Sequence, residues 1–197
     1  MTDTLKNRAT LLTGGSGPLW HAIVCELLHA GVRLEMTFRA QDELDALFTY
    51  LRAQKLPAAG QPLIPIKVDD LKTTQLEWTP SATQRDFGRV EFWINLFDGK
   101  ETVQRILTNV EPLMKKRHFG GIVHVARGDA DSVPMLMERI GALSADGIQT
   151  HILVLPTNSA ETPKPEETAR KVVELLAGTI VTTEKAKEPA PPTPAAA

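Results

Sequence analysis

The sequence predicts an α/β fold, a doubly wound parallel sheet in a single domain, and three observations predict it. A Gly-rich turn, Thr13-Gly14-Gly15-Ser16-Gly17-Pro18, follows the apolar run at residues 9–12 and opens a helical pattern. Short β-like runs then alternate with helical patterns, and the connections between them are short, which imposes right-handed crossovers on a parallel sheet. The 197 residues are 42% hydrophobic and 23% charged, a composition that suits one domain with a sizeable core.

Residues 8–13 form the first predicted strand. Pro18 suits the first turn of the following helix, where its missing N–H would be unpaired in any case. Leu19, Ile23, Leu27 and Leu28 recur at helical spacing until Gly31 ends the pattern. Val32, Leu34 and Met36 alternate with Arg33, Glu35 and Thr37 as a second strand, and Leu44, Leu47, Phe48 and Leu51 mark a second helix. Residues 63–68 are a third strand, 69–88 a looser region in which Thr79-Pro80 opens a short helix, and 90–96 a fourth strand. Asp98 and Glu101 have capping-box spacing, with Val103, Ile106, Leu107, Val110 and Met114 following at helical intervals. Gly120-Gly121 reads as a break before a fifth strand at 122–126. Ser132-Val133-Pro134 opens a short helix carrying Leu136, Ile140 and Leu143, which Asp146-Gly147 closes. Residues 148–155 are a sixth strand, 165–177 a final helix stopped by Gly178, and 179–183 a last short strand.

From Glu184 the composition turns to Lys, Glu, Ala and Pro, so residues 1–183 are expected to form the domain and 184–197 a disordered tail. A formal net charge of -2 argues against a nucleic-acid or membrane partner. The single cysteine, Cys25, excludes an internal disulfide and fits a reducing, cytoplasmic setting. Residues 1–10, with Asp3, Lys6 and Arg8, lack the apolar core of a signal peptide, and no later stretch is long enough to span a bilayer. His21 and Cys25 lie four apart on a helix without a third ligand, and Asp129 and Asp131 suit a loop that caps the Ser132 helix, so no metal site is expected.

A Gly-rich turn at a helix N-terminus gathers backbone N–H groups and the positive end of the helix dipole on one point, which is a phosphate-binding device. A dinucleotide-binding turn carries two further glycines, and here those places hold Pro18 and Trp20. Over residues 8–183 the order of features resembles the short-chain dehydrogenase/reductase family, whose fold is Rossmann-like. Thr13-Gly14-Gly15-Ser16-Gly17 is similar to its glycine motif, and Val90-Glu91-Phe92-Trp93-Ile94-Asn95 to its fourth strand running into an Asn-Asn-Ala-Gly turn. Glu111-Pro112-Leu113-Met114 with Gly121-Ile122-Val123, then Gly147-Ile148-Gln149, Leu155-Pro156 and Pro165-Glu166-Glu167, resemble later landmarks in the same order.

The resemblance implies hydride transfer between a nicotinamide cofactor and a carbonyl or alcohol, with a Tyr as acid/base, a Lys four residues on and a helping Ser. The one tyrosine, Tyr50, falls on the second predicted helix with Gln54 four residues later, and residues 127–146 leave no room for the segment that carries those groups. For the cofactor the resemblance implies contacts from Gly14, Gly15, Ser16, Gly17, Asp69 and Asn95, with Arg39 set for the 2′-phosphate of NADP and no Asp or Glu at hand for a free ribose hydroxyl. Against a cofactor, Leu96-Phe97-Asp98 puts a ring and a carboxylate where a ribose would pass, and Trp20 stands to fill the cleft.

The expectation drawn from these features is a catalytically silent member of that family which binds no cofactor. It would act as a non-catalytic subunit or assembly partner, in a homo-oligomer or with an active relative, because a short fifth helix would leave the fourth helix's apolar face uncovered. Two alternatives stand beside it. One is an NADP-linked oxidoreductase with an unusual acid, drawn from Arg127, His124 and Asp98; the other is a regulator that senses a dinucleotide without turning it over.

Overall fold

The computed structural model describes residues 2–56, 62–68, 74–157 and 163–187. After a single 3-10 turn at Thr2–Leu5, the strands are β1 (Ala9–Thr13), β2 (Arg33–Phe38), β3 (Leu63–Lys67), β4 (Phe92–Asn95), β5 (Gly120–Arg127) and β6 (Ile148–Leu155). The helices between and after them are α1 (Gly17–His29), α2 (Gln41–Ala53), α3 (Thr74–Phe87), α4 (Lys100–Lys115), α5 (Ser132–Ala145) and α6 (Pro165–Lys187). All neighbouring strands are parallel, in the order β3-β2-β1-β4-β5-β6, so the expected doubly wound sheet is the fold. The chain steps outward from β1 to β3, then returns to lay β4 on the other side of β1. That reversal opens a crevice at the carboxyl ends of β1 and β4.

Each face of the sheet carries its own core. Leu12, Met36, Ile94 and Val123 pack against α1, α2 and α6, whereas Leu11, Trp93 and Ile122 pack against α3, α4 and α5. Alternation along each strand produces this division, and both faces are covered because parallel crossovers put a helix over each. No helix among the described residues is long and apolar enough to cross a membrane.

Several element expectations are corrected, each for a physical reason. The region expected to be loose is helix α3, with Pro80 inside it. Pro80 has no N–H to give the Leu76 carbonyl four residues back, and the Thr79 hydroxyl donates to that carbonyl instead, at 2.9 Å. Gly120 and Gly121 lie within β5 rather than before it. A Cβ at Gly120 would stand 2.5 Å from Met114 Sδ, and one at Gly121 2.7 Å from the Phe92 ring, so the glycines let α4 and β4 close on the strand. Gly178 does not stop α6, and residues 179–183, expected as a strand, are part of the helix. Helix α6 runs on through Lys187, and the apolar stripe Ala169, Val172, Leu176 and Ile180 carries its packing across the glycine.

Two further corrections touch the site. Asp98 does not cap α4. The cap is Gly99, and the first N–H of the helix, at Lys100, is bonded at 2.6 Å by the carboxylate of Asp131 from the β5–α5 loop. Helix α5 has its expected bounds, and its 14 residues are enough to cover α4. Its Met135, Leu136 and Leu143 join Val103, Ile106, Leu107, Val110 and Met114 of α4 in one buried cluster, and Arg139 pairs with Glu111 across the two helices. The fourth helix therefore has no uncovered apolar face.

One buried group stands outside this economy. Glu35, on β2, is fully buried and neither carboxylate oxygen has a hydrogen-bond partner, since the nearby Thr83 hydroxyl donates to the Thr79 carbonyl at 3.1 Å. Burial, reinforced by the charge of Asp86, pushes its pKa up to about 7. In the unfolded chain the group titrates near 4.5, so the folded state holds the proton more tightly and loses stability as pH rises through this window. The Glu35→Gln variant stays neutral throughout. Urea midpoints at pH 5 and pH 8 are expected to separate less for the variant than for the wild type, by the equivalent of about 1 to 3 kcal/mol, with the histidines cancelling in the comparison.

Candidate functional site

The crevice is built from backbone first. Gly14, Gly15 and Gly17 adopt φ of 77°, 89° and 70°, a left-handed run that only glycine takes without strain. It turns the chain from β1 into α1 within three residues and leaves the first N–H groups of the helix facing the crevice. Ser16 is the N-cap and makes no side-chain cap bond, Pro18 follows in the first turn, and the Gly14 N–H donates to the Thr37 hydroxyl at 3.0 Å. The turn is tied to the end of β2 by that bond.

The floor is tight on one side and open on the other. A Cβ at Gly14 would meet Phe97 at 3.0 Å, and one at Gly15 would meet Leu96 Cδ1 at 2.5 Å and Trp20 Cδ1 at 3.0 Å, whereas one at Gly17 would meet nothing within 4 Å. Trp20 is fully buried in the α1 side of the core. It fills the space behind the turn rather than the crevice in front of it.

In front of the turn lies a pocket of ≈ 220 Å³, bounded by Gly14, Gly15 and Ser16, by Thr37, Phe38 and Arg39 at the end of β2, by Val68 after β3, and by Leu96, Phe97 and Asp98 after β4. Arg39 and the glycine turn therefore line one cavity. Arg39 also has a carboxylate partner outside the pocket lining. Glu43, one helical turn on, lies 3.7 Å from its guanidinium and accepts from the Arg39 and Ala40 N–H groups at 3.2 and 3.3 Å. The 39/43 spacing at a helix start was the signal for it. Asp69 lies outside the described residues.

Asn95 sits elsewhere than expected. It is fully buried and does not line the pocket, and its amide is wholly engaged. Trp93 Nε1 donates to the Thr13 hydroxyl (2.8 Å), which donates to Asn95 Oδ1 (3.0 Å). Asn95 Nδ2 in turn donates to the Phe97 carbonyl (2.9 Å) and to His124 Nδ1 (2.7 Å). This leaves the His124 proton on Nε2, facing Ser132 Oγ at 2.9 Å. Burial lowers the His124 pKa to about 4, and the ring is neutral at working pH.

At the rim, Asp98 accepts from the Arg127 backbone N–H (3.0 Å) and from its Nε (2.7 Å). Asp98 holds the Arg127 pKa above its ordinary value, so that side chain is a permanent cation, and it is 65% exposed. Of the three acids weighed from the sequence, His124 is sealed in the core, and only the Asp98–Arg127 pair meets solvent. Tyr50 lies on α2 with its ring stacked on His21, 5.5 Å between centroids.

The pocket tests what a dinucleotide would find. Its glycine turn, its Arg39 guanidinium and its apolar wall at Val68 and Phe38 fit the phosphate and adenosine end of such a cofactor. Past Leu96 and Phe97 the pocket ends, and no residue of β5 or β6 lines it. The fit is to that end of the cofactor.

No family model matches the chain. Solved structures share its fold at low identity. An NADH-dependent reductase complexed with NAD superposes with a TM-score of 0.72 at 16% identity, covering 89% of this chain and 91% of that one. A short-chain type dehydrogenase/reductase from Mycobacterium ulcerans gives 0.74 at 16% identity, over 91% and 87%. A metagenomic short-chain oxidoreductase in complex with NADP gives 0.71 at 16% identity, over 88% and 92%. These structures correct the expectation of a cofactor-free, non-catalytic assembly partner. The chains that share this architecture are named as reductases and oxidoreductases, two of them holding NAD or NADP, and α5 covers the α4 face on which the assembly reading stood.

The two inner glycines carry different constraints, and a pair of alanine variants separates them. Gly17→Ala is expected to cost about 1 kcal/mol, from its positive φ alone. Gly15→Ala adds a clash with Leu96 and is expected to cost about 2 to 4 kcal/mol, read as the difference in urea midpoint.

Proposed function

We propose that this chain is an NADP-linked oxidoreductase that anchors the adenosine end of its cofactor between the glycine turn and Arg39. The observation that carries the reading is that the turn, the Thr37 hydroxyl and the Arg39 guanidinium line one pocket at the switch point of the sheet. The NAD- and NADP-bound structures of the same fold support it. In this reading the first-turn N–H groups of α1 hold the pyrophosphate, and Arg39 leaves Glu43 to pair with the 2′-phosphate, where a bidentate guanidinium contact is favourable. The bound nicotinamide would supply or accept a hydride.

The chain's own groups set the rest of the chemistry, and no tyrosine takes part. Arg127 cannot release its proton under working conditions, so it serves as a hydrogen-bond donor that polarises a carbonyl and stabilises the developing oxyanion, with the proton drawn from solvent. Asp98 positions Arg127 through two bonds from one residue and keeps its guanidinium aimed across the rim. The Trp93–Thr13–Asn95–His124–Ser132 chain holds β1, β4 and β5 in register beneath and exchanges no proton with a substrate.

Titration with NADPH and NADH, followed by a panel of aldehydes and ketones monitored by loss of the reduced nicotinamide absorbance, tests the reading. NADPH is expected to bind and to be oxidised. Arg39→Ala is expected to weaken NADPH by about tenfold, or 1.4 kcal/mol, and to leave NADH nearly unchanged. Arg127→Ala is expected to lower turnover with little change in NADPH affinity. Binding without oxidation of any substrate would favour a sensor over an enzyme, and no binding at millimolar NADPH would overturn both.

A further inference from the structure

The second notable cavity lies at the other end of the sheet, against the amino ends of β1, β2, β4 and β5. It measures ≈ 480 Å³ and is lined by Asn7, Arg33, Phe87, Gly88, Arg89 and Arg117. Three of these six residues are arginines, in a chain whose formal net charge is -2. The basic charge is concentrated here by the fold, since the four segments that meet are far apart in sequence.

Arg33 is positioned by backbone carbonyls, and Arg89 by a backbone carbonyl and one acid. Arg33 Nε and Arg89 Nη2 both donate to the Asn7 carbonyl, at 3.1 and 3.5 Å, so two like-charged heads converge on one oxygen. Arg33 Nη2 donates to the Phe87 carbonyl at 3.2 Å, and its guanidinium lies 5.1 Å over the Phe87 ring. The one buried carboxylate nearby, Glu91, is already shared. It pairs with Arg8 at 2.8 Å and with Arg89 at 2.8 Å, and it accepts from the Ala9 N–H at 2.9 Å. Asp86, next to Phe87, is held by Arg85 at 2.7 Å. Among the described residues neither Arg33 nor Arg117 has a carboxylate within ion-pair distance, and Arg117 is exposed.

Three guanidiniums that share a cavity with one carboxylate between them, Glu91 on Arg89 and itself divided with Arg8, repel one another, and a multivalent oxyanion relieves that repulsion while taking their planar forks in pairs. We propose that this cavity is a second ligand site, which takes an oligophosphate or bisphosphate group on a small molecule. It lies at the opposite end of the strands from the glycine turn, so the two sites do not share a residue. The inference does not rest on the oxidoreductase reading.

Calorimetric titration at low salt with inorganic tripolyphosphate and, separately, with a bisphosphorylated sugar tests the proposal and tells a free oligophosphate from an organic one. Saturable binding of at least one of them with a stoichiometry of one is expected, falling steeply with added salt. Arg117→Glu is expected to weaken it by about tenfold or more, with the melting curve of the protein unchanged because Arg117 holds no described partner. Arg39→Ala and added NADPH are expected to leave it untouched. The proposal is overturned if neither probe saturates by about 10 mM, if Arg117→Glu binds as well as the wild type, if NADPH displaces the probe, or if only a polynucleotide binds with the Arg117 dependence.

Discussion

The polar chain from Trp93 through Thr13, Asn95 and His124 to Ser132 is the interaction on which the carboxyl end of this sheet depends. It lies on the face covered by α3, α4 and α5 and crosses three adjacent strands at the level where they end. Each hydrogen bond contributes only about 1 kcal/mol net, but an unpaired buried member would cost about 1 to 3 kcal/mol. The chain is therefore stable as a unit. Its polarity is fixed from end to end: the indole and the Thr hydroxyl donate toward Asn95, both Asn95 amide hydrogens are spent, and the His124 tautomer follows. Its last member opens α5, and the neighbouring Asp131 caps α4, so the same small region sets the start of two helices.

That arrangement decides which part of the crevice stays open. With Asn95 turned inward and its amide bonded to the Phe97 carbonyl, the segment after β4 lies down over the glycine turn, and Leu96 and Phe97 touch Gly15 and Gly14. The Asp98–Arg127 pair then closes the rim between β4 and β5. What remains is the side toward β2 and β3, where Thr37 ties the turn and Arg39 meets Glu43. A cavity so bounded has room for a phosphate, a sugar and a ring more than for two nucleotides, and Arg39 is the cation among its lining residues. At the far end of the strands the opposite condition holds. There the arginines outnumber the carboxylates that face them, and backbone carbonyls stand in for acids.

The elements from β1 to β6 and the parallel, doubly wound character of the sheet were legible because these strands and most helices carry a clear period. The turn at Gly14–Gly17 and the role of Arg39 as a pocket cation were legible for the same reason, since both depend on residues close in sequence. Helix α3 was hidden by Pro80, whose cost is met by the Thr79 hydroxyl, and the run of α6 beyond Gly178 was hidden because tertiary packing outweighs one glycine. The cap from Asp131 on Lys100 joins residues 31 apart, and the inward turn of Asn95 requires His124 from the next strand. Neither has a local signature. The arginine cavity is assembled from four separate segments, and a net charge near zero concealed it. The reading of a silent assembly partner failed where it took a helix of this length to leave α4 uncovered, since the packing of Met135, Leu136 and Leu143 on α4 has no local signature.

The account stands on the claim that the glycine turn still receives a phosphate and that the cofactor enters from the Arg39 side. Backbone amide spectra recorded while NADP is added test this most directly. The account predicts dose-dependent shifts at Gly15, Ser16, Gly17 and Arg39, with His124 and Ser132 unmoved because their bonds are sealed beneath the sheet ends. Amide signals at the turn that do not move at saturating NADP, or shifts confined to Arg33, Arg89 and Arg117, would contradict it.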